Sequence, residues 1–297
     1  MRHHKDLRTL CLQSKEAIFA SHGEALPCRD GNLRFTDNGS QILGVCHVDT
    51  VPHKPQYRER KGKAFSTALD DRLGIYILTK LLPARGIVLD WLLTDNEECG
   101  GSTASDFVAP KDYRWTVEFD REGSDVVLYQ YDDGSLDEAF AAIGVPIGCG
   151  SYSDICDLPN VGTTCFNFGV GYHRQHSPAC YVDFEEMAAQ VDAFARFYEA
   201  HKEERLEYDA DACDLYYYGE QDWSYYERDG DDASDDREAH LRALWLDYSD
   251  PVAYADPELG LVRFSETEAL EERLLSGDAA PRLTARERLI LDNYLQW

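Results

Sequence analysis

Basic residues are scarce in this 297-residue chain: Lys and Arg total 29 against 56 Asp and Glu, a formal net charge of -27. So acidic a surface repels phosphate backbones and anionic headgroups, which excludes nucleic acid and an anionic membrane as main partners. The nine cysteines stand singly, with no Cys-x-x-Cys pair, so neither a metal knuckle nor a disulfide framework is predicted. No run approaches the roughly 18–20 apolar residues of a membrane span, and no apolar stretch follows Met1. A reducing cytoplasm is the expected location. What is present is enough apolar matter, 43% hydrophobic with 12 Phe, 18 Tyr and 5 Trp, to bury a sizeable core.

The charge is uneven: residues 203–297 hold 26 acids and 9 bases, and the composition shifts near Glu203. Two regions are expected, a domain over 1–202 and an acidic, mainly helical extension over 203–297. In the first, short apolar runs alternate with helical spacing. A hairpin is expected from Asn32–Asp37 through the Asn38-Gly39 turn to Gln41–Asp49. Helices are expected at Ser14–Ala20, at Asp71–Leu82 before Pro83 and Gly86, from Ser102, at Asp137–Ile143 and through Phe184–Tyr198, with strands at Ile87–Leu93, Trp115–Phe119, Val126–Tyr129 and Thr163–Phe168. This alternation predicts an α/β fold, a mostly parallel mixed sheet with helices on both faces. In the extension, helices are signalled near His240–Leu246 and by two capping boxes, Ser265 with Glu268 and Thr284 with Glu287.

His47, Asp70, Glu97-Glu98, Asp120 and His176 fall at or just past predicted strand ends. In open α/β sheets that edge forms the ligand crevice. Oxygen and nitrogen donors converging there suit a pair of divalent cations. Each alone has a plainer reading: a core histidine, a helix cap at Asp70-Asp71, a solvated acidic loop at Glu97-Glu98, a surface ion pair of Asp120 with Arg121.

Their order and context say more. His47-Val-Asp49-Thr-Val-Pro52, Leu69-Asp-Asp-Arg-Leu-Gly74, Thr94-Asp-Asn-Glu-Glu-Cys-Gly-Gly101, Phe119-Asp-Arg121 and His176-Ser-Pro178 follow one another. Together they resemble the co-catalytic zinc exopeptidases, the peptidase T, acetylornithine deacetylase and tetrahedral aminopeptidase superfamily. The resemblance covers roughly residues 35–200. It implies that Asp70 bridges two zinc ions (cobalt or manganese being substitutes), that His47 and Asp120 complete one site, and that Glu98 and His176 complete the other. It also implies Glu97 as general base, Asp49 as the residue holding the His47 imidazole, and a cis peptide after Asp70. His173 is a rival to His176. Only 22 residues separate His47 from Asp70 and 55 separate Asp120 from His176, so the lid or dimerisation domain of many relatives has no room.

The resemblance implies a dizinc hydrolase cutting an amide bond beside a free terminus, first of all an aminopeptidase on short peptides. A deacylase or carboxypeptidase-type amidase acting on N-acyl amino acids is the alternative, and it needs a base for the substrate carboxylate: Arg72, Arg121 or Arg174. In a third reading, the Tyr- and Asp-rich stretch 207–236 is an acidic protein-interaction module on a hydrolase-like scaffold. The sequence leaves the oligomeric state open.

Overall fold

The computed structural model describes residues 4–51, 55–159, 161–177, 179–209 and 284, and the backbone of Val252–Asp256 and Gly260–Arg263. In chain order the strands are β1 (Glu24–Ala25), β2 (Arg34–Thr36), β3 (Ile42–His47), β4 (Arg58–Arg60), β5 (Lys63–Phe65), β6 (Asp90–Thr94), β7 (Trp115–Arg121), β8 (Val126–Val127), β9 (Cys165–Gly169), β10 (Tyr172–His173), β11 (Tyr181–Asp183), β12 (Val252–Asp256) and β13 (Gly260–Arg263). The α-helices are α1 (Lys5–Leu12), α2 (Lys15–Ser21), α3 (Leu69–Tyr76), α4 (Asp137–Ile143), α5 (Asp154–Asp157) and α6 (Phe184–His201). By their contacts the residues form two compact units, Met1–Gln175 with Tyr181–Gln221, and His176–Cys180 with Asp222–Trp297.

In the first unit a seven-stranded sheet runs β1-β2-β6-β3-β7-β9-β8. Its centre, β6-β3-β7-β9, is parallel, and β1, β2 and β8 add antiparallel edges. This is the mixed α/β sheet the alternation predicts. The expected hairpin is not formed: β2 and β3 both pair with β6, which lies between them. The reason lies in Asp90, at the start of β6, whose carboxylate accepts the N–H groups of Asn38 (2.8 Å) and Ser40 (3.0 Å). It thereby holds the Asn38-Gly39 turn open around a third strand.

Strand alternation divides the burial between two faces. Trp115, Val117 and Phe119 point to the side covered by α6, where Phe194 meets Phe119 edge-on at 4.8 Å and Phe197 meets Trp115 at 5.6 Å. Leu43 and Val45 point the other way, into a cluster with Leu92, Ala104 and Ile155 of α5. Helix α6 begins where the Asp183 carboxylate accepts the N–H groups of Glu185 (3.0 Å) and Glu186 (3.3 Å). Asp183→Ala should cost about 1 kcal/mol, read as a lower urea midpoint with an unchanged slope.

A second, four-stranded antiparallel sheet, β10-β11-β5-β4, was not foreseen; its strands of two or three residues are too short to show alternation. The chain continues past residue 202 into the main sheet's surroundings: Leu206 N–H donates to Arg114 O (2.9 Å) and Leu206 O accepts from Thr164 N–H (2.8 Å). In the second unit β12 and β13 pair antiparallel. The helices expected at His240–Leu246, after Ser265 and after Thr284 lie outside the described residues, as does the 210–236 part of the tyrosine-rich stretch. No helix among the described residues is long and apolar enough to cross a membrane.

Candidate metal centre

The chain lays down β3 first, then β6 on one side of it and β7 on the other. At such a topological switch point the connections diverge and leave a crevice beyond the strands' carboxyl ends. His47 ends β3, Thr94 ends β6 and leads into Glu97-Glu98, and Asp120 is the penultimate residue of β7.

His47 is fully buried. Its Nδ1 lies 3.0 Å from the Asp49 carbonyl oxygen and 3.6 Å from the Asp49 carboxylate. A carbonyl only accepts, so Nδ1 carries a proton, and Nε2 is the nitrogen that could turn to an ion on giving up its own. Nε2 faces Asp70 Oδ1 at 3.0 Å, Asp120 Oδ2 at 3.6 Å and Glu97 Oε2 at 3.9 Å. One donor atom each from His47, Asp70 and Asp120 lies within 4.8 Å of the other two, and a similar distance joins Asp70 to Glu98. An imidazole with two carboxylates, its other nitrogen bonded to protein, is a donor set that suits a zinc-type ion.

Each side chain is held from behind. Asp70 opens α3 with non-helical backbone, and the peptide between Asp70 and Asp71 is cis. Asp71 turns away and accepts the Gly74 N–H at 2.8 Å. The Asp49 carboxylate accepts the N–H groups of Glu97 (3.3 Å) and Glu98 (3.1 Å), so one residue steadies both the imidazole and the double-glutamate turn. That turn is reached through Asn96 at φ 68 and left through Gly100 at φ 69. Beneath it, the buried Asp154 accepts the hydroxyls of Thr94 (2.6 Å) and Ser102.

The electrostatics match a site for positive charge. Burial, and then the Asp70 carboxylate, push the Asp120 carboxyl up to about 8. Burial, with Asp120, Asp154 and Asp70 nearby, pushes Glu97 up to about 9 although His47 opposes the shift. Burial would lower His47, yet Asp120, Asp49 and Asp70 together raise it well above the usual imidazole range. Protein groups alone leave these carboxylates mutually repelling, which added cations would relieve.

Sequence reasoning missed three contributors. Asn167, in β9, accepts the Asp120 N–H (2.9 Å) and donates to the Asp120 carbonyl (3.1 Å), while the Tyr172 hydroxyl donates to Asp120 Oδ1 (3.1 Å). Glu118 is buried in β7, and neither of its carboxylate oxygens has a hydrogen-bond partner among the described residues. Only Asn167 had a readable signal, a polar residue inside the apolar run Cys165-Phe-Asn-Phe168. Asn167→Leu should weaken metal binding about 10–100-fold, the usual cost of losing an outer support, measurable by competition with a chromogenic chelator.

His176, exposed and at φ 56, heads the short stretch His176–Cys180 grouped with the second unit. The rival His173 has its Nε2 2.7 Å from Glu186 Oε2, on α6. Of the three candidate bases, Arg121 is forked onto Asp125 at 2.9 and 2.9 Å, Arg174 follows β10 at φ 61, and Arg72 is buried.

No protein-family model and no curated protein matches the sequence. Among solved structures, a tripeptidase from Staphylococcus aureus is similar over 66% of this chain and 96% of its own, at 10% identity and a TM-score of 0.50. An aminopeptidase from the archaeon Desulfurococcus kamchatkensis is similar over 70% of this chain and 96% of its own, at 12% identity and a TM-score of 0.47. The chain shares the α/β fold of that tripeptidase.

Proposed function

We propose that this protein is a metal-dependent hydrolase that cuts an amide bond beside a free terminus, an aminopeptidase acting on short peptides. Supporting this above all is the meeting of His47, Asp70 and Asp120 at the switch point of the sheet, with Glu97 3.9 Å from the same imidazole nitrogen. In this reading His47, Asp70 and Asp120 would hold one zinc ion, and Asp70, Glu98 and His176 a second. The engagement of His173 by Glu186 favours His176 as the last ligand. When bound, such ions would supply Lewis acidity, polarising a carbonyl and acidifying water.

The protein's own groups divide the remaining work. Glu97 takes a proton from the attacking water at its carboxylate and returns it to the leaving amine. Asp49 fixes the imidazole through its carbonyl and the Glu97-Glu98 backbone through its carboxylate. The acidic crevice favours the α-ammonium of a peptide. The 203–297 extension is an accessory in this reading; a chain ending just beyond Leu206, whose backbone bonds keep it with the core, should retain activity.

The decisive measurement is metal content of the purified full chain, paired with a panel of aminoacyl and N-acyl substrates. Two zinc ions per chain and release of the amino-terminal residue are expected. No bound metal and no turnover after adding zinc, cobalt or manganese would refute the proposal. The deacylase or carboxypeptidase reading gains from one observation, the buried guanidinium of Arg72.

A further inference from the structure

The stretch carrying Glu97 and Glu98 leaves β6 after Thr94 and comes back to the fold at Ser102. It is closed on itself: the Asp95 N–H donates to Thr103 Oγ1 (2.9 Å), and the Thr103 N–H donates to the Asp95 carbonyl (2.9 Å). Two such bonds fix the shape of a loop but not its place over the crevice. The support from Asp49 reaches the glutamate backbone at 3.3 and 3.1 Å, longer than the usual ~2.9–3.0 Å. Something firmer has to place the turn.

A second tie comes from α5. Asp154 is fully buried, and each of its oxygens takes one hydroxyl, Thr94 on Oδ2 (2.6 Å) and Ser102 on Oδ1. Hydroxyl-to-carboxylate bonds are the short, strong kind, and burial shields them from water. Thr94 is fixed in the sheet: it pairs with His47 across β6 and β3, and its carbonyl accepts the Val48 N–H (2.9 Å). Ser102 stands on the returning side of the turn, where its N–H donates to the Tyr152 hydroxyl (3.2 Å) and Tyr152 donates to Asp157 (2.6 Å). One carboxylate therefore spans the neck of the loop and sets its returning side against the residue beside His47.

We propose that Asp154 is the positioning residue of the Glu97-Glu98 turn: acting through Ser102, it sets where the general base and the Glu98 ligand stand relative to His47. The inference rests on the hydrolase reading and goes beyond it. His47, Asp70 and Asp120 are placed by other elements. Loss of the tie is therefore selective, affecting Glu97 and the ion that Glu98 would hold rather than the other ion.

The test compares wild type, Asp154→Ala, Asp154→Asn, Ser102→Ala and the Asp154→Ala/Ser102→Ala double variant as zinc-titrated full chains. In Asp154→Ala, chelator competition should show the second ion held about 10–100-fold more weakly, the usual cost of a lost outer support, and the first near wild type. kcat should fall about a hundredfold at near-constant KM, the scale of a misplaced reacting group. Amide exchange at Glu97 and Glu98 should quicken at least about tenfold, as loss of a charge-assisted bond implies, with β3 amides unchanged. Asp154→Asn should restore most of each readout. Its amide oxygen still accepts from Ser102, and its nitrogen can donate to Thr94, whose hydroxyl turns to the Cys46 carbonyl 3.2 Å away.

The double variant should be little worse than Ser102→Ala alone, because the pair acts as one unit. Ser102→Ala should reproduce the selective pattern, and it decides the matter where Asp154→Ala does not fold. An Asn variant as impaired as Ala overturns the proposal, since charge and not the tie is then what counts. So does a double variant that adds the two losses, equal weakening of both ions, or β3 amides that quicken with the loop. Absence of turnover or of a second ion in wild type sinks the hydrolase reading instead, and the exchange comparison then still judges the tie.

Discussion

Glu97→Gln should lower kcat for peptide hydrolysis about a thousandfold while leaving zinc content and KM near wild type. The substitution keeps the shape of the side chain and its backbone N–H bond to Asp49, and removes only the capacity to carry a proton. Positioned general bases contribute roughly 10²–10⁴ in rate. The Glu97 carboxyl lies 3.9 Å from His47 Nε2, and burial raises its proton affinity to about 9, so it is placed and tuned to hold a proton between taking and returning it. A Gln variant with near-normal turnover would remove Glu97 from the chemistry. One that loses both metal and activity would instead make it a ligand.

The second large effect is on stability. Stripping the metal with a strong chelator, and confirming the loss by elemental analysis, should lower Tm by about 10 °C. An ion present at a thousand times its Kd stabilises by about 4 kcal/mol, and each kcal/mol moves Tm by roughly 2–4 °C in a domain of this size. The effect also has a sign in pH. With protein groups alone, Asp120 titrates at about 8 and Glu97 at about 9, both raised above an unfolded carboxylate near ~4. Between those limits the folded chain holds more protons than the unfolded one, so its stability falls as pH rises. His47, also raised, pulls the same way: its contribution is complete below an unfolded value of ~6.5 and is lost on passing its folded one. Ion binding, which needs these ligands deprotonated, strengthens over the same range. The Tm gap between loaded and chelated protein should therefore widen from pH 6 to pH 9. A constant or closing gap, or none, would mean that the carboxylates do not share ions.

How far the sequence could be read depended on how local each cause is. Helix α6 was plain because Phe184, Met187, Val191, Phe194 and Tyr198 repeat at helical spacing and Asp183 caps the first turn. His47, Asp70, Glu97-Glu98 and Asp120 could be picked out because each sits at a strand end or beside a turn residue, and the structure brings their side chains to one crevice. The Asn38-Gly39 turn misled: a turn signal says that the chain reverses, not that β6 will later enter the opening. Asn167 and Glu118 escaped notice as site neighbours because a strand's contacts across the sheet depend on register with partners distant in sequence. Strand β4, with three exposed charged residues, carries no hydrophobic imprint at all. Arg72 was named for its charge; that it would be buried depends on how α1 and α3 pack.

The strand order also bears on biogenesis. β6 must settle between β2 and β3, and Asp120 arrives on β7, so no single early hairpin or helix pair can assemble the crevice. A nascent chain exposes a histidine and several carboxylates long before they can converge. In the metal-dependent reading proposed above, ion capture is then a late event that reports completed topology, and a translation product stalled before β7 would stay unloaded.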